Sequence, residues 1–274
     1  PKTFAELTKI SGLSHGTDVW NGNAKDLIDQ KIVPFSEVIG CRDDIMVYLM
    51  YHGLPALKAF KIMEFVRKGK ASKEPEKWQE YKQELKDAGI DDWYIGSCEK
   101  IKYMFPKAHA VAYVINAFRL AYYKVHRPGV YYYSQFSVEY GDFDIDAMIK
   151  GYDSVKAKII EITEKGYGAS NKESNILECL KLALEALARG ITFAPVDINK
   201  SDAMNFVLTE DEKTLIPPFR SIDGLGDVVA RAIVEERKKR PFLSIEDLQK
   251  RAKISSTLLE KMRSMGILDN MDES

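Results

Sequence analysis

The chain has 274 residues, of which 45% are hydrophobic and 30% charged, with a formal net charge of −1. That length suits one large domain plus a small one, and the near-neutral charge excludes a uniformly basic nucleic-acid binder, so any such role must rest on local patches. Cys41, Cys98 and Cys179 are scattered and form no CxxC pair, which argues against a cysteine-built zinc site and suits a reducing cytoplasm. No apolar run approaches the ~20 residues that span a bilayer, and Pro1 to Leu7 is amphipathic and polar, unlike a signal peptide. With Pro1 where an initiator Met would stand, the chain reads as a piece of something longer.

Helical periodicity dominates. Phe4 to Ile10 follows Thr3 as N-cap, with Glu6 three residues on in a capping-box pattern. Gly12 to Trp20 reads as a loop of small, polar and aromatic residues. Arg42 to Met50 reads as a helix with acidic residues in its first turn, ended by Gly53 and Pro55. Helices are predicted over Leu57 to Arg67, Trp78 to Ala88 with Gly89 as its stop, and Ser97 to Phe105 before Pro106. Lys107 to Tyr123, rich in alanine and free of Gly and Pro, is the strongest, and Pro128-Gly129 closes its segment. Two more follow, Ile145 to Lys165, which tolerates Gly151, and Lys172 to Arg189. Ile191 to Phe193 and Phe206 to Leu208 read as short strands. Pro217-Pro218 is a stiff break before a compact, short-helical tail. The fold expected is mainly α: a helical domain over 1–190, a short β element, and a C-terminal region over 191–274 whose tandem helix-hairpin-helix starts near 217.

Ile222-Asp223-Gly224-Leu225-Gly226 opens a helix running to about Lys239. Paired glycines let the backbone approach a phosphate, and the free N–H groups of the following helix favour its charge. A plain glycine turn is the simpler account. The Pro-Pro-Phe lead-in, the apolar pins Ile222 and Leu225 and the apolar helix beyond them favour the DNA-binding hairpin. Such contacts position DNA without reading sequence. The helix ends in Arg237-Lys238-Lys239-Arg240, a run suited to phosphates that, taken alone, is usually a solvated face. A degenerate second hairpin is predicted at Lys253-Ile254-Ser255, with Ser255 capping a helix to Met265.

From Lys100 to Arg127 the chain carries six Lys and Arg residues and no Asp or Glu. His109, Tyr113 and Asn116 share one helix face. Cations meet a triphosphate and flat rings meet a base, although the spacing by itself fits a core helix with a hydrogen-bonded histidine slightly better. Ser14, His15 and Asp18 are not read as a triad, since triads are made by geometry and not adjacency. Asp142, Asp144 and Asp146 are read as caps and dipole partners of the helix that follows, not as a two-metal site.

The segments ISGLSHGTDVW (10–20), VIGCRDDIMVYL (38–49), KYMFPKAHAVAY (102–113), DFDIDAMIKG (142–151) and LIPPFRSIDGLG (215–226), in consistent order over essentially the whole chain, resemble the C-terminal third of PolC-type DNA polymerase III alpha subunits of low-GC Gram-positive bacteria. The resemblance implies a cytoplasmic replicative polymerase, a nucleotidyltransferase, that adds deoxynucleotides with two Mg²⁺ ions. Its catalytic aspartates belong to a palm domain preceding Pro1, so no catalytic residue and no metal ligand is expected here, and the isolated chain is expected to be inactive. It further implies that 1–190 is a fingers domain, with Lys107, His109, Tyr113 and Arg42 toward the incoming dNTP and Ser14 and His15 shaping its pocket. The region 191–274 would grip the primer–template duplex through Gly224, Leu225 and Gly226, with Lys238, Lys239, Arg240, Lys253 and Ser255 alongside. The partners implied are the palm of the same polymerase and, in the complete enzyme, a sliding clamp held by a peptide that follows the tail. No membrane is involved. A non-catalytic helix-hairpin-helix adaptor is the alternative, and it has no use for a Lys-His-Tyr face. A nuclease built on the Asp142 cluster would require divalent-dependent cleavage, which is not expected.

Overall fold

The computed structural model describes Pro1 to Ser274, in two compact units, Pro1–Arg119 and Leu120–Ser274. The chain is mainly α-helical, as its periodicity predicts, with one small sheet.

Unit 1 contains α1 (Phe4–His15), α2 (Lys25–Asp29), α3 (Arg42–Tyr51), α4 (Ala56–Val66), α5 (Lys70–Lys73), α6 (Pro75–Asp87), α7 (Asp92–Lys100) and the first part of α8 (Lys107–His126). Thr3 caps α1 by accepting the Glu6 N–H (3.2 Å). The Glu6 carboxylate takes the N–H of Lys2 and not that of Thr3, so the predicted capping box is only half made. The helix does not stop at Ile10. It runs through Gly12 to His15, which corrects the loop expected there. Gly12 is buried, and a Cβ on it would collide with the carbonyl oxygen of Gly40. This glycine permits close packing inside a helix and does not mark a turn. Conversely, Ile101 to Phe105 are not helical. Thr17 pairs with Tyr103 as an isolated antiparallel bridge, with Thr17 N–H to Tyr103 O at 3.0 Å, and this bonding replaces a helical turn. The core gathers Ile45, Leu49, Ile62, Val66, Trp78, Leu85, Tyr94 and Ile95.

Unit 2 holds the rest of α8, then α9 (Pro128–Val138), α10 (Ile145–Lys150), α11 (Tyr152–Glu164), α12 (Asn171–Ala188), β1 (Thr192–Phe193), β2 (Val207–Leu208), β3 (Thr214–Ile216), α13 (Asp227–Lys239), α14 (Ile245–Ala252) and α15 (Ser256–Ser264). Pro128 opens α9, which the sequence reading missed, because proline is tolerated at the first helical position. Gly151 divides α10 from α11 with φ 96 and ψ −164, a conformation that leaves the helical region altogether. The strand order is β1-β3-β2, with β1 parallel and β2 antiparallel to β3.

The compositional change near Gly190 is no packing boundary. Ile191, Phe193, Phe206 and Leu215 share a core with Tyr132, Phe136 and Leu180. Nor does the tail's core begin at Pro217, for Val196, Ile198 and Ala203 pack with Phe219, Ile233, Leu248 and Met262. Arg237 secures that arrangement, donating to the carbonyls of Ile198 (2.6 Å) and Ser201 (2.9 Å).

Candidate functional site

At the start of α8, residues far apart in the sequence converge. Arg42, the first residue of α3, donates its backbone N–H to the carbonyl of Phe105 (3.1 Å). Asp43 accepts the backbone N–H of Lys107 (2.6 Å), and Asp44 accepts the Lys107 ammonium (3.3 Å). The Phe105 ring stacks on His109 (centroids 4.9 Å), His109 lies against Tyr113 (4.6 Å), and His15 meets Phe105 edge-on (5.8 Å). Five of the six residues expected on the nucleotide side thus come near one another: His109 and His15 touch Phe105, Tyr113 lies against His109, Arg42 is bound through its backbone, and Lys107 is held by Asp43 and Asp44. Ser14 sits one residue before His15 in the last turn of α1, its hydroxyl bonded to the Ser11 carbonyl (3.0 Å).

The helix is no core helix. Only Ala110 and Val114 are buried, while Tyr113 is 60% and Phe118 61% exposed. Besides that buried i, i+4 pair, the chain meets the helix at Lys107 and His109 and at Phe118, which lies against Phe4, while most of its other side chains are exposed.

Charge at this junction is balanced by carboxylates. The Coulombic field of Asp44 raises the Lys107 ammonium above its usual value. Arg42 lies 3.5 Å from Glu64. Glu64 also takes a two-pronged contact from Arg67, which together with Lys68 and against a smaller burial cost holds its carboxyl at about 2. The loop beneath is tied by buried Asn23, which donates to the carbonyls of Asp18 (3.0 Å) and Ser97 (3.1 Å) and accepts from the Ser97 hydroxyl (2.6 Å). The sequence reading passed over Phe105 and took Asp43 and Asp44 as partners of their own helix. An aromatic residue before Pro106 and two adjacent acids were the available signals. Asp44 does serve its own helix, accepting the N–H of the α3 N-cap Cys41, and only the further contacts of the two acids with Lys107 are tertiary facts.

In unit 2, Gly224 has φ 89, a left-handed conformation open to glycine, and Gly226 stands at the N-cap of α13 with φ −72 and ψ 157. A Cβ on Gly226 would meet no atom within 4 Å, and no side chain caps α13. The side chains of Ile222 and Leu225 are buried, so Leu225 pins the hairpin to the core and offers only its backbone. Asp223 is bonded by Lys172 (2.6 Å) and Lys261 (3.2 Å), which tether the loop.

The second hairpin repeats the first position for position. Lys253 takes the left-handed place of Gly224 (φ 55), buried Ile254 that of Leu225, and Ser255 that of Gly226 (φ −68, ψ 152). The predicted duplication is therefore real in backbone geometry. The difference is that the Ser255 hydroxyl accepts the Leu258 N–H (3.3 Å) and caps its own helix.

The basic run at the end of α13 does not join the hairpin. Thirteen residues of helix put it about 20 Å from Gly226. Lys238 pairs with Glu235 (2.9 Å), Lys239 with Glu236 (2.5 Å) and Arg240 with Asp247 (2.8 and 3.0 Å). Arg237 is spent on the core. In the other acidic cluster, Asp144 caps α10 by accepting the Ala147 N–H (3.0 Å) and Asp142 accepts from Asn175 (2.9 Å), so these side chains do the work of caps and tethers.

Comparison with known proteins agrees with this geometry. Residues 1–89 match the family of the bacterial DNA polymerase III alpha subunit finger domain, and residues 190–274 match the helix-hairpin-helix motif family. The whole chain aligns with DNA polymerase III PolC-type of Bacillus subtilis at 55% identity over 273 residues, of Oceanobacillus iheyensis at 53% over 273, and of Streptococcus sanguinis at 54% over 276. It covers 18%, 19% and 19% of those proteins, a smaller share than the third that the motifs suggested. Over all of its length, then, this chain is similar to a segment of the PolC-type DNA polymerases III, spanning about a fifth of each of those relatives.

Proposed function

We propose that this chain is the part of a cytoplasmic replicative DNA polymerase that positions the incoming dNTP and grips the product duplex, and that it lies toward the C-terminal end of that enzyme. The observation that carries the reading is the gathering of Lys107, His109 and Tyr113 at the start of α8, where an ammonium and a stack of rings stand together and the backbone N–H of Arg42 is bound to Phe105. Such a surface suits a triphosphate and a base. Lys107 and Arg42 would bear the phosphate charge as the new bond forms, and His109 and Tyr113 would orient the nucleoside, so the contribution is positioning and charge stabilisation.

Magnesium would supply Lewis-acid stabilisation of the reacting phosphate. Its ligands would lie on the palm, outside this chain. Asp142 and Asp144, committed to Asn175 and to the α10 cap, do not fit a two-metal site. By itself the chain is expected not to polymerise. The duplex would enter at Gly224–Gly226, where the uncapped amides of α13 can take a backbone phosphate. A sliding clamp would be met by the complete enzyme.

Fluorescence anisotropy of a short primer–template duplex across a salt series tests the hairpin. Binding should be salt-sensitive and lost in Gly226→Val, which the open space at that position lets fold normally. Equal binding by variant and wild type would remove the hairpin from the interface. In the full-length polymerase, Lys107→Ala should raise the dNTP KM by about tenfold, the order of one lost charge-assisted contact.

A further inference from the structure

Three consecutive residues of α3 hold the start of α8. Arg42 binds the Phe105 carbonyl, Asp43 caps the Lys107 backbone N–H, and Asp44 takes the Lys107 ammonium. Asp43 acts on backbone and so fixes where the helix begins. Asp44 acts on a side chain, and it is itself immobilised. Its Oδ2 accepts the N–H groups of Gly40 (3.0 Å) and Cys41 (3.2 Å), which leaves Oδ1 aimed at Lys107. The Lys107 side chain is 58% exposed and Asp44 only 21%, so the flexible partner is held by the rigid one. A lysine free in solvent would sample many rotamers and lose that freedom on meeting a ligand.

We propose that Asp44 is a positioning residue for Lys107, holding the ammonium over the start of α8 before a nucleoside triphosphate arrives. The inference rests on the nucleotide site proposed above. The pair is partly exposed and therefore weak, so the more highly charged triphosphate can share the ammonium without first breaking a buried ion pair. One oxygen of Asp44 stays committed to backbone throughout.

The test is a double-mutant cycle in the full-length polymerase, reading dNTP KM and kcat of primer extension for wild type, Asp44→Asn, Lys107→Ala and the pair. Asp44→Asn keeps an oxygen acceptor for Gly40 and Cys41 while removing the charge. The melting temperature of each variant shows whether the cap survives. The expected result is a KM raised about fivefold by Asp44→Asn, the size of a partly exposed ion pair, with kcat changed less and no further rise when it is added to Lys107→Ala. If Lys107→Ala raises KM and Asp44→Asn does not, positioning by Asp44 is refuted and the nucleotide site stands. An Asp44→Asn effect that persists undiminished beside Lys107→Ala means that Asp44 acts through something else, which also overturns the proposal. A wild-type KM in Lys107→Ala removes the nucleotide site and this inference with it.

Discussion

The first turns of α8 and α13 are the same physical object, a helix N-terminus with unpaired N–H groups and a partial positive charge. At α8 a carboxylate from another helix, Asp43, already occupies the Lys107 N–H. At α13 the N-cap is Gly226 and no side chain takes part. The contrast separates two ways of meeting phosphate. Where the first amide is already taken, a ligand would have to be met by side chains such as that of Lys107, itself held by Asp44. Where the amides are empty and the N-cap has no Cβ, the backbone itself can come up to a phosphate. The tail repeats the lesson internally, since Ser255 fills at the second hairpin the place that Gly226 leaves open at the first.

The largest expected break in this comparison is Gly12→Ala. Its Cβ would strike the Gly40 carbonyl, distorting the α1 packing behind His15 and the start of α3. Unfolding followed by circular dichroism should show a loss of about 3 kcal/mol, a typical overpacking cost, with duplex binding by the refolded chain retained. Gly226→Ser comes next, because it copies the second hairpin onto the first at matching backbone angles. Duplex affinity should fall by about tenfold, on the order of 1.4 kcal/mol, as the new hydroxyl takes the amides, while stability gains a few tenths of a kcal/mol. A variant that binds as tightly as wild type would show that the amides are not the contact. Ser255→Ala should cost about 1 kcal/mol of stability through the lost cap and leave duplex affinity close to wild type.

The smallest effect concerns pH. Glu64 has a folded-state value of about 2 against an ordinary 4.5, chiefly because of Arg67. A lowered carboxyl stabilises the fold fully above 4.5, and that contribution disappears as pH falls toward about 2. Melting temperatures followed from pH 5 downward should therefore fall less steeply for Glu64→Gln than for wild type. Parallel curves would mean that the Arg67 and Lys68 contacts do not survive in solution.

Much of the fold could be read in advance, because helix starts and stops are written locally. Thr3, Ser255 and Gly89 mark ends where they are expected. Errors arose where one residue type serves two purposes. Gly12 reads as a turn and Gly151 as a tolerated interruption, yet Gly12 lies inside a helix and Gly151 breaks one. Pro128 reads as a terminator and starts α9. The neighbour in space explains Gly12, which lets α1 pack on the carbonyl of Gly40, whereas Gly151 and Pro128 act through their own backbone conformation. In the basic run at 237–240, Glu235 and Glu236 stand three residues before Lys238 and Lys239, so a helix alone brings them alongside, whereas Arg240 meets Asp247 of the next helix.

Taken alone, the sequence determined the helical character, the glycine hairpin with its apolar pins and the motifs shared with the polymerase family, because periodicity, φ > 0 positions and motif order are properties of neighbouring residues. Tertiary structure decided that Asp43 and Asp44 of α3 also bind Lys107 of α8, and that His15 of α1 meets Phe105. Those are contacts between residues distant in the chain, and a carboxylate acts on the cation or amide that folding brings within about 3 Å of it, whatever their separation in sequence.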